Sequence, residues 1–196
     1  MNQTNPISIA DTLARISLEI GSIKLNPDQP FTWASGYKMP IYNDNRLLLG
    51  NNEHRSLIAK GFQELINQYA PNAEVIAGTA TAGIPHATTL ADMLQLPLIY
   101  VRSAPKSHGM SNLIEGPLRP NQEVLVIEDL ISTGGSAASA VTAIREAGGV
   151  VKHCFSIFSY GFIEATDKFK SISCEIHCIL KFSQLLKVAQ STQNLP

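Results

Sequence analysis

Two neighbouring carboxylates, Glu128 and Asp129, stand just ahead of a turn made of hydroxyl-bearing residues and glycines, Ser-Thr-Gly-Gly-Ser at residues 132–136. Glycines let the backbone approach a ligand closely, and free N–H groups where a turn opens into a helix attract anions. A phosphate alone has no use for two carboxylates. The vicinal hydroxyls of a sugar, or a metal ion carried by the ligand, suit them. The stretch therefore predicts a sugar phosphate as the ligand.

The residues on either side of this stretch indicate the elements that position it. Residues 124–127 (Val-Leu-Val-Ile) form an apolar run without polar alternation, which is typical of a strand buried on both faces of a parallel sheet. The two carboxylates are predicted to stand where that strand ends. A helix is predicted to follow over residues 136–147, because Gly148 and Gly149 provide its end.

An apolar strand followed by an acidic residue is also typical of nucleotide hydrolases, which need a phosphate-binding loop ending in Lys-Ser or Lys-Thr. Residues 78–83 (Gly-Thr-Ala-Thr-Ala-Gly) have the glycine spacing of that loop but continue with Ile84 and Pro85. The sequence therefore argues against a nucleotide hydrolase. Taken alone, this small-residue loop fits either a tight turn or a second anion site built from backbone amides.

Residues 103–116 show neither helical nor strand periodicity and carry two cations, Lys106 and His108, directly after Arg102. Long irregular loops inside compact domains are often lids, and cations on a lid can meet an anionic leaving group. Read alone, the segment could equally be a solvated loop. Beside a phosphate-binding motif, the lid is the favoured interpretation.

Composition limits the classes of protein that this chain can belong to. A length of 196 residues predicts one domain, and a net charge of −1 argues against binding to nucleic acid. The three cysteines, Cys154, Cys174 and Cys178, form neither a disulfide framework nor a good metal pattern, and are expected to be thiols of a reducing cytosol. We find no signal peptide and no apolar run long enough to cross a bilayer, so we expect a cytoplasmic protein without a membrane partner.

Periodicity and turn residues predict an α/β fold with a central, mostly parallel sheet and helices on both faces, because strands and helices alternate after residue 71. The predicted strands are 74–77, 97–101, 124–127, 150–158 and 175–180, and the predicted helices are 9–20, 53–69, 84–94, 136–147 and 183–190. Residues 26–46 predict a small hairpin between 31–33 and 41–42, apart from the main sheet. Ligands bind past the carboxyl ends of parallel strands, where several of the segments described above are expected to meet.

Residues 124–136 resemble, at every position, the 5-phosphoribosyl-1-pyrophosphate (PRPP) motif of type I phosphoribosyltransferases. The resemblance implies the fold of that family, with a small N-terminal hood lobe. It also implies that Glu128 and Asp129 hold the ribose hydroxyls, that residues 132–136 hold the 5-phosphate, and that the loop at 78–83 holds the pyrophosphate with a cis peptide at Ala80-Thr81. The implied PRPP-binding residues are Thr79, Ala80, Thr81, Arg102, Lys106, His108, Glu128, Asp129, Leu130, Ile131, Ser132, Thr133, Gly134, Gly135 and Ser136.

Two further segments resemble the orotate phosphoribosyltransferase family. The pattern R-x3-K-x-H-G from residue 102, followed by N-L-I-E-G, is similar to that family's lid, and residues 31–46 are similar to its N-terminal signature. The implied catalytic residues are Arg102, Lys106, His108 and Asp129. The implied orotate contacts are Ser132, with Lys38 or Arg46 on the carboxylate. Ala34, Ala82 and Ala104 depart from the family pattern, in which lysines are common at or near these places.

The resemblance as a whole implies transfer of the 5-phosphoribosyl group from PRPP to orotate, giving orotidine 5-monophosphate and pyrophosphate in de novo UMP synthesis. It implies Mg²⁺ carried by PRPP, with no direct protein ligand and Asp129 reaching the ion through water, and a homodimer whose lids are shared across the interface. A single domain over 1–196 is expected, with residues 20–50 contributing to the hood lobe and 103–116 forming a mobile lid. The alternatives are a purine phosphoribosyltransferase, a PRPP-binding regulator, and a paralogue with lost or altered base specificity.

Overall fold

The computed structural model describes residues 8–33, 36–104 and 113–192. In chain order its elements are α1 (Ile9–Glu19), β1 (Ile23–Leu25), β2 (Phe31–Thr32), β3 (Lys38–Met39), β4 (Ile41–Asn43), a 3-10 helix (Asn45–Gly50), α2 (Asn52–Tyr69), β5 (Val75–Thr79), α3 (Gly83–Leu94), β6 (Leu98–Val101), β7 (Ile114–Glu115), β8 (Val124–Ile131), α4 (Gly135–Glu146), β9 (His153–Ser159), α5 (Ile163–Ser171), β10 (Glu175–Lys181) and α6 (Phe182–Ser191).

Six strands form the central sheet in the order β10-β9-β8-β5-β6-β7. All neighbouring strands run parallel except β7, which is antiparallel to β6. The predicted mostly parallel sheet is therefore confirmed. Within the described part of the chain, no helix is both long enough and apolar enough to span a bilayer.

The sheet is buried on both faces, and successive side chains of its central strands pack in two different hydrophobic cores. Ile76, Leu125 and Ile127 pack in a core with α1, α2, α3 and α6, whereas Val75 and Val126 pack in a second core with α4 and α5. This alternation follows from the pleat, which points successive side chains to opposite faces. It explains why these strands read as continuous apolar runs in the sequence.

The small N-terminal strands pair differently from the prediction. β2 pairs with β3, and β4 pairs instead with β1, so the predicted hairpin between residues 31–33 and 41–42 is wrong. The turn between β2 and β3 contains Gly36, whose φ of +84° suits glycine, and Trp33 N donates to Tyr37 O across this turn at 2.9 Å. Ile41, which is 1% exposed, is left to pack in the core beside β1.

Other elements also differ from the sequence prediction. β8 continues to Ile131 instead of ending at residue 127, because its last residues still pair with β9. β7 lies inside the segment predicted to be irregular, and α5 was missed. α5 buries only Ala165 and Phe169, and no side chain caps its start, so its sequence carries neither a periodic stripe nor a start signal.

Candidate active site

A crevice forms where the chain leaves β5 and β8 in opposite directions. These two strands are neighbours, but α3 follows β5 on one face of the sheet and α4 follows β8 on the other. Such a switch point leaves a gap beyond the carboxyl ends of the strands, which is where ligands bind in open α/β sheets. The crevice thus follows from topology, and residues 80–82 and Ser136 line it.

The two carboxylates at this edge have different environments. Glu128 is 6% exposed, and its carboxylate accepts hydrogen bonds from Asp129 N at 2.9 Å and from Ser136 Oγ at 3.4 Å. Burial, reinforced by the neighbouring Asp129, raises the pKa of Glu128 well above its ordinary value. Asp129 is half-buried, and Asn45 Nδ2 donates to its backbone oxygen at 2.8 Å, which ties the N-terminal strands to the site.

The starts of α3 and α4 flank this acidic pair, and no side chain caps either of them. A helix begins with several N–H groups that have no partner in the helix, and together they carry a partial positive charge. Ala82 and Gly134 occupy the two cap positions. Gly134 has a φ of +74°, and a Cβ there would lie 2.9 Å from a ring carbon of Phe169. The site therefore offers two adjacent anion-binding helix starts.

The loop before α3 packs closely against β8. Thr79 is 3% exposed, and its hydroxyl donates to Ile127 O at 3.2 Å. A Cβ on Gly83 would lie 2.4 Å from that hydroxyl oxygen and 2.6 Å from Ile127 O. The peptide bond between Ala80 and Thr81 is cis, as the family resemblance predicted. The only side chain among the predicted residues 79–81 that is committed to a protein partner is thus that of Thr79.

Two adjoining cavities occupy the crevice. The larger, of about 680 Å³, is lined by Asn43, Asp44, Arg46, Leu49, Ala80, Thr81, Ala82, Pro85, Glu128, Asp129, Leu130 and Ser136. The smaller, of about 170 Å³, is lined by Thr79, Ala80, Val101, Arg102, Ser103, Leu113, Ser136, Ser139 and Ala140. Ala80 and Ser136 border both, so the acidic pair and Arg102 line neighbouring cavities.

Residues 48–174 match a family model described as "Phosphoribosyl transferase domain". The chain is 47% identical over 184 residues to orotate phosphoribosyltransferase of Streptococcus mutans, covering 94% of this chain and 88% of that protein. The corresponding enzyme of Cytophaga hutchinsonii is 46% identical, with 96% and 88% covered. The chain belongs to the orotate phosphoribosyltransferase family. A solved orotate phosphoribosyltransferase from Aeropyrum pernix superposes with a TM-score of 0.78 at 26% identity, covering 91% of this chain and 98% of that one.

The cations that the family resemblance singles out lie in different places. Arg46 borders the larger cavity, with its Nε 2.6 Å from Asp44 Oδ1 and a second nitrogen 2.8 Å from Oδ2. This bidentate pairing lowers the pKa of Asp44. Lys38 lies exposed on β3 and does not line the cavity. Arg102 borders the smaller cavity, 3.5 Å from Glu115 Oε1.

The predicted site residues differ in how far their side chains are exposed to a ligand, and some of them lie outside the described part of the chain. Ile131 is 1% exposed and packs in the core, so only its backbone can meet a ligand. Ser132 is half-buried, whereas Thr133 is exposed in the turn. Lys106 and His108, and the rest of residues 105–112, lie outside the described residues.

Sequence reasoning missed two asparagines beside the acidic pair. Asn45 makes the contact to Asp129 described above, and Asn43 lines the larger cavity with both amide atoms shielded from solvent and without a hydrogen-bond partner in the described structure. Buried amides are normally paired, so Asn43 is a candidate ligand contact. The signal was the polar run at residues 43–46 directly after a strand.

Proposed function

We propose that this protein transfers the 5-phosphoribosyl group from PRPP to orotate, giving orotidine 5-monophosphate and pyrophosphate, a step of UMP synthesis. The similarity to named orotate phosphoribosyltransferases extends over nearly the whole chain. One structural observation carries the proposal: two uncapped helix starts flank a pair of carboxylates at the switch point of the sheet. A ligand with two phosphate groups joined by a sugar matches that arrangement.

We assign each phosphate of PRPP to one helix start. The turn at residues 132–136 leads into α4 and would hold the 5-phosphate, with Thr133 and Ser136 exposed as hydroxyl donors. The loop at residues 79–81 leads into α3 and would hold the pyrophosphate through backbone N–H groups. Ala82 provides no cation there, so the helix start supplies the positive potential.

The acidic pair would hold the ribose hydroxyls between these two phosphates. Because the pKa of Glu128 is raised, this carboxyl keeps its proton closer to neutral pH and can donate a hydrogen bond as well as accept one. Asp129 lines the same cavity and offers acceptor oxygens. Fixing the ribose in this way positions its anomeric carbon for displacement, and positioning is a large part of what such a reaction needs.

The departing pyrophosphate needs positive charge as the transition state forms. Arg102 borders the cavity beside the loop at 79–81, and we assign to it, together with Lys106 and His108 of the lid, the stabilisation of that charge. For orotate, we assign the carboxylate to Arg46 rather than Lys38, because Arg46 lines the larger cavity. Ser132 would contact orotate from the turn.

Magnesium carried by PRPP fits these residues. Mg²⁺ is typically bound by one or two carboxylates together with substrate phosphates and water. Within the described residues, the crevice has no cluster of three metal-ligating side chains that could enclose an ion, whereas Asp129 faces the cavity. We therefore assign to Asp129 a contact through water, and to the ion the neutralisation of pyrophosphate charge.

The assembly and location of the protein stay predictions from the sequence. We propose a cytoplasmic homodimer with lids shared between subunits. All three cysteines are unpaired thiols, and two of them, Cys154 and Cys174, are buried with their pKa raised by burial. Unpaired, unreactive thiols are what a reducing compartment favours.

A steady-state assay with Mg²⁺ and PRPP tests the proposed activity. We expect orotate to be consumed with release of pyrophosphate, and adenine, hypoxanthine and xanthine to be poor substrates. Preferential turnover of a purine would assign a different base specificity to the same crevice. PRPP binding by calorimetry without turnover of any of these bases would indicate a binding protein or an inactive paralogue.

A further inference from the structure

Three potential metal ligands meet at the edge of the sheet that is farthest from β7. His153 begins β9, and Glu175 and His177 lie near the start of β10. In the parallel pairing Glu175 lies opposite His153, and His177 is two residues further along the same strand. Residues two apart on a strand point to the same face, so all three side chains project together. They lie at the amino ends of these strands, away from the crevice.

The distances between the three side chains are close to those that a shared ion requires. Glu175 Oε2 lies 3.3 Å from His177 Nε2 and 3.9 Å from His153 Nδ1, and the ligand atoms are all within 4.8 Å of one another. Ligands about 2.0–2.1 Å from a tetrahedral Zn²⁺ are separated from each other by about 3.4 Å. Small side-chain rotations bring the three atoms to that spacing.

The placement of both imidazoles favours coordination. His177 is stacked on Tyr69 with ring centroids 3.7 Å apart, which fixes the orientation of its ring. His153 Nδ1 is shielded from solvent and has no hydrogen-bond partner in the described residues.

A hydrogen bond between Glu175 and His177 explains only part of this arrangement. It pairs His177 Nε2 but leaves His153 Nδ1 at 3.9 Å from the carboxylate, too far for a hydrogen bond. An ion between the three side chains satisfies both nitrogens at once. The two nearby thiols are not needed, since Cys178 follows His177 along β10 and points to the other face, and Cys174 precedes the strand.

We propose that His153, Glu175 and His177 bind a divalent transition-metal ion of the Zn²⁺ type. Two imidazole nitrogens and one carboxylate suit zinc and its neighbours, whereas Mg²⁺ and Ca²⁺ prefer all-oxygen sites. Water completes the coordination from the adjoining surface groove of about 690 Å³. The ion joins β10, an edge strand, to β9. The site does not depend on the proposed transferase activity.

Calorimetry with Zn²⁺ on chelator-treated full-length protein tests the proposal. We expect one ion per chain at this site, and a loss of affinity of more than about a hundredfold in His177→Phe, since even the outer partners of metal ligands are worth about 10- to 100-fold. Phenylalanine keeps a ring for stacking on Tyr69. His54→Phe, a histidine in the first turn of α2, is the matched control and should bind Zn²⁺ as wild type does.

A second variant keeps the test valid if His177→Phe does not fold. Glu175→Gln changes a side chain that is 68% exposed, so it should fold normally and still bind Zn²⁺ more weakly. We also expect Zn²⁺ to raise the Tm of the wild type but not of His177→Phe, because only a ligand that binds the folded state stabilises it. Asp129→Asn separates this site from the crevice and should leave Zn²⁺ affinity unchanged. The proposal would be overturned if the wild type did not bind Zn²⁺. It would also be overturned if folded His177→Phe and Glu175→Gln bound Zn²⁺ with the affinity of the wild type.

Discussion

Replacing Gly83 by alanine tests whether the loop before α3 must lie against β8 for PRPP to bind. Gly83 begins α3, and an added Cβ would lie 2.4 Å from Thr79 Oγ1 and 2.6 Å from Ile127 O. The second of these atoms belongs to the backbone of a central strand and cannot rotate away. Thr79 is buried and its hydroxyl donates to the same carbonyl, so it has little freedom to move.

The geometry sets the size of the effect. Ordinary contact begins near 3.4 Å, so the start of α3 must move away from β8 by about 1 Å. Overpacking of this kind costs about 1–3 kcal/mol. A cost of about 2 kcal/mol lowers the Tm of a protein of this length by about 4–8 °C. A displacement of about 1 Å at a binding site can also cost about a hundredfold in catalytic efficiency.

Scanning calorimetry and titration with Mg-PRPP measure the two effects separately. Gly50→Ala is the matched control, because a Cβ at Gly50 would meet nothing within 4 Å. We expect this control to keep the wild-type Tm and PRPP affinity. If Gly83→Ala matches Gly50→Ala in both measurements, the close approach of α3 to β8 is not needed, and the assignment of the pyrophosphate to this helix start is wrong.

Three further predictions address individual side chains. Asp129→Asn should weaken PRPP binding in calorimetry with little change in Tm, because it is a polar exchange at the crevice surface; unchanged affinity with lower stability would make the residue structural. Lys106→Ala should fold normally and lower kcat by about a hundredfold, whereas a wild-type kcat would exclude Lys106 from leaving-group stabilisation. If lids are shared between subunits, mixing Lys106→Ala with Asp129→Asn subunits should restore some activity. Burial lowers the pKa of His86 from 6.5 to about 4, so the free energy of unfolding should fall by about 3 kcal/mol as pH drops from 6.5 to 4, at about 1.4 kcal/mol per pH unit. Urea unfolding at a series of pH values should show a shallower dependence of this free energy on pH for His86→Leu. Equal dependence in the two proteins would contradict a lowered pKa of His86.

The sequence predicted the central strands well because each is buried on both faces and therefore reads as an uninterrupted apolar run. The same rule misplaced the end of β8. Glu128 and Asp129 interrupt the apolar run, yet the backbone goes on pairing with β9 as far as Ile131. These carboxylates are tolerated inside a strand because Ser136 and the crevice meet them at its open end.

Strand partners in the N-terminal part were beyond what local pattern could give. β2, β3 and β4 each have only two or three residues, so alternation offers almost no register information. The same region supplies Asn45, whose contact with the Asp129 backbone joins residues 84 positions apart. A contact between such distant positions leaves no trace in residue spacing. For the same reason the cluster of His153, Glu175 and His177 became visible only once β9 and β10 were paired.

The position of Ala82 in the fold explains how the pyrophosphate loop can lack a lysine. Read from the sequence, it removes a cation from the pyrophosphate loop. In the fold, Ala82 is the cap position of α3, and no side chain caps the N–H groups that follow it. A side chain that capped this helix would compete with the anion for those groups. As proposed, the helix start holds the pyrophosphate without a lysine, and the transition-state charge is assigned to Arg102, at the border of the neighbouring cavity, together with Lys106 and His108. Binding and leaving-group stabilisation are thus assigned to different residues, which is why PRPP affinity and kcat should respond to different substitutions.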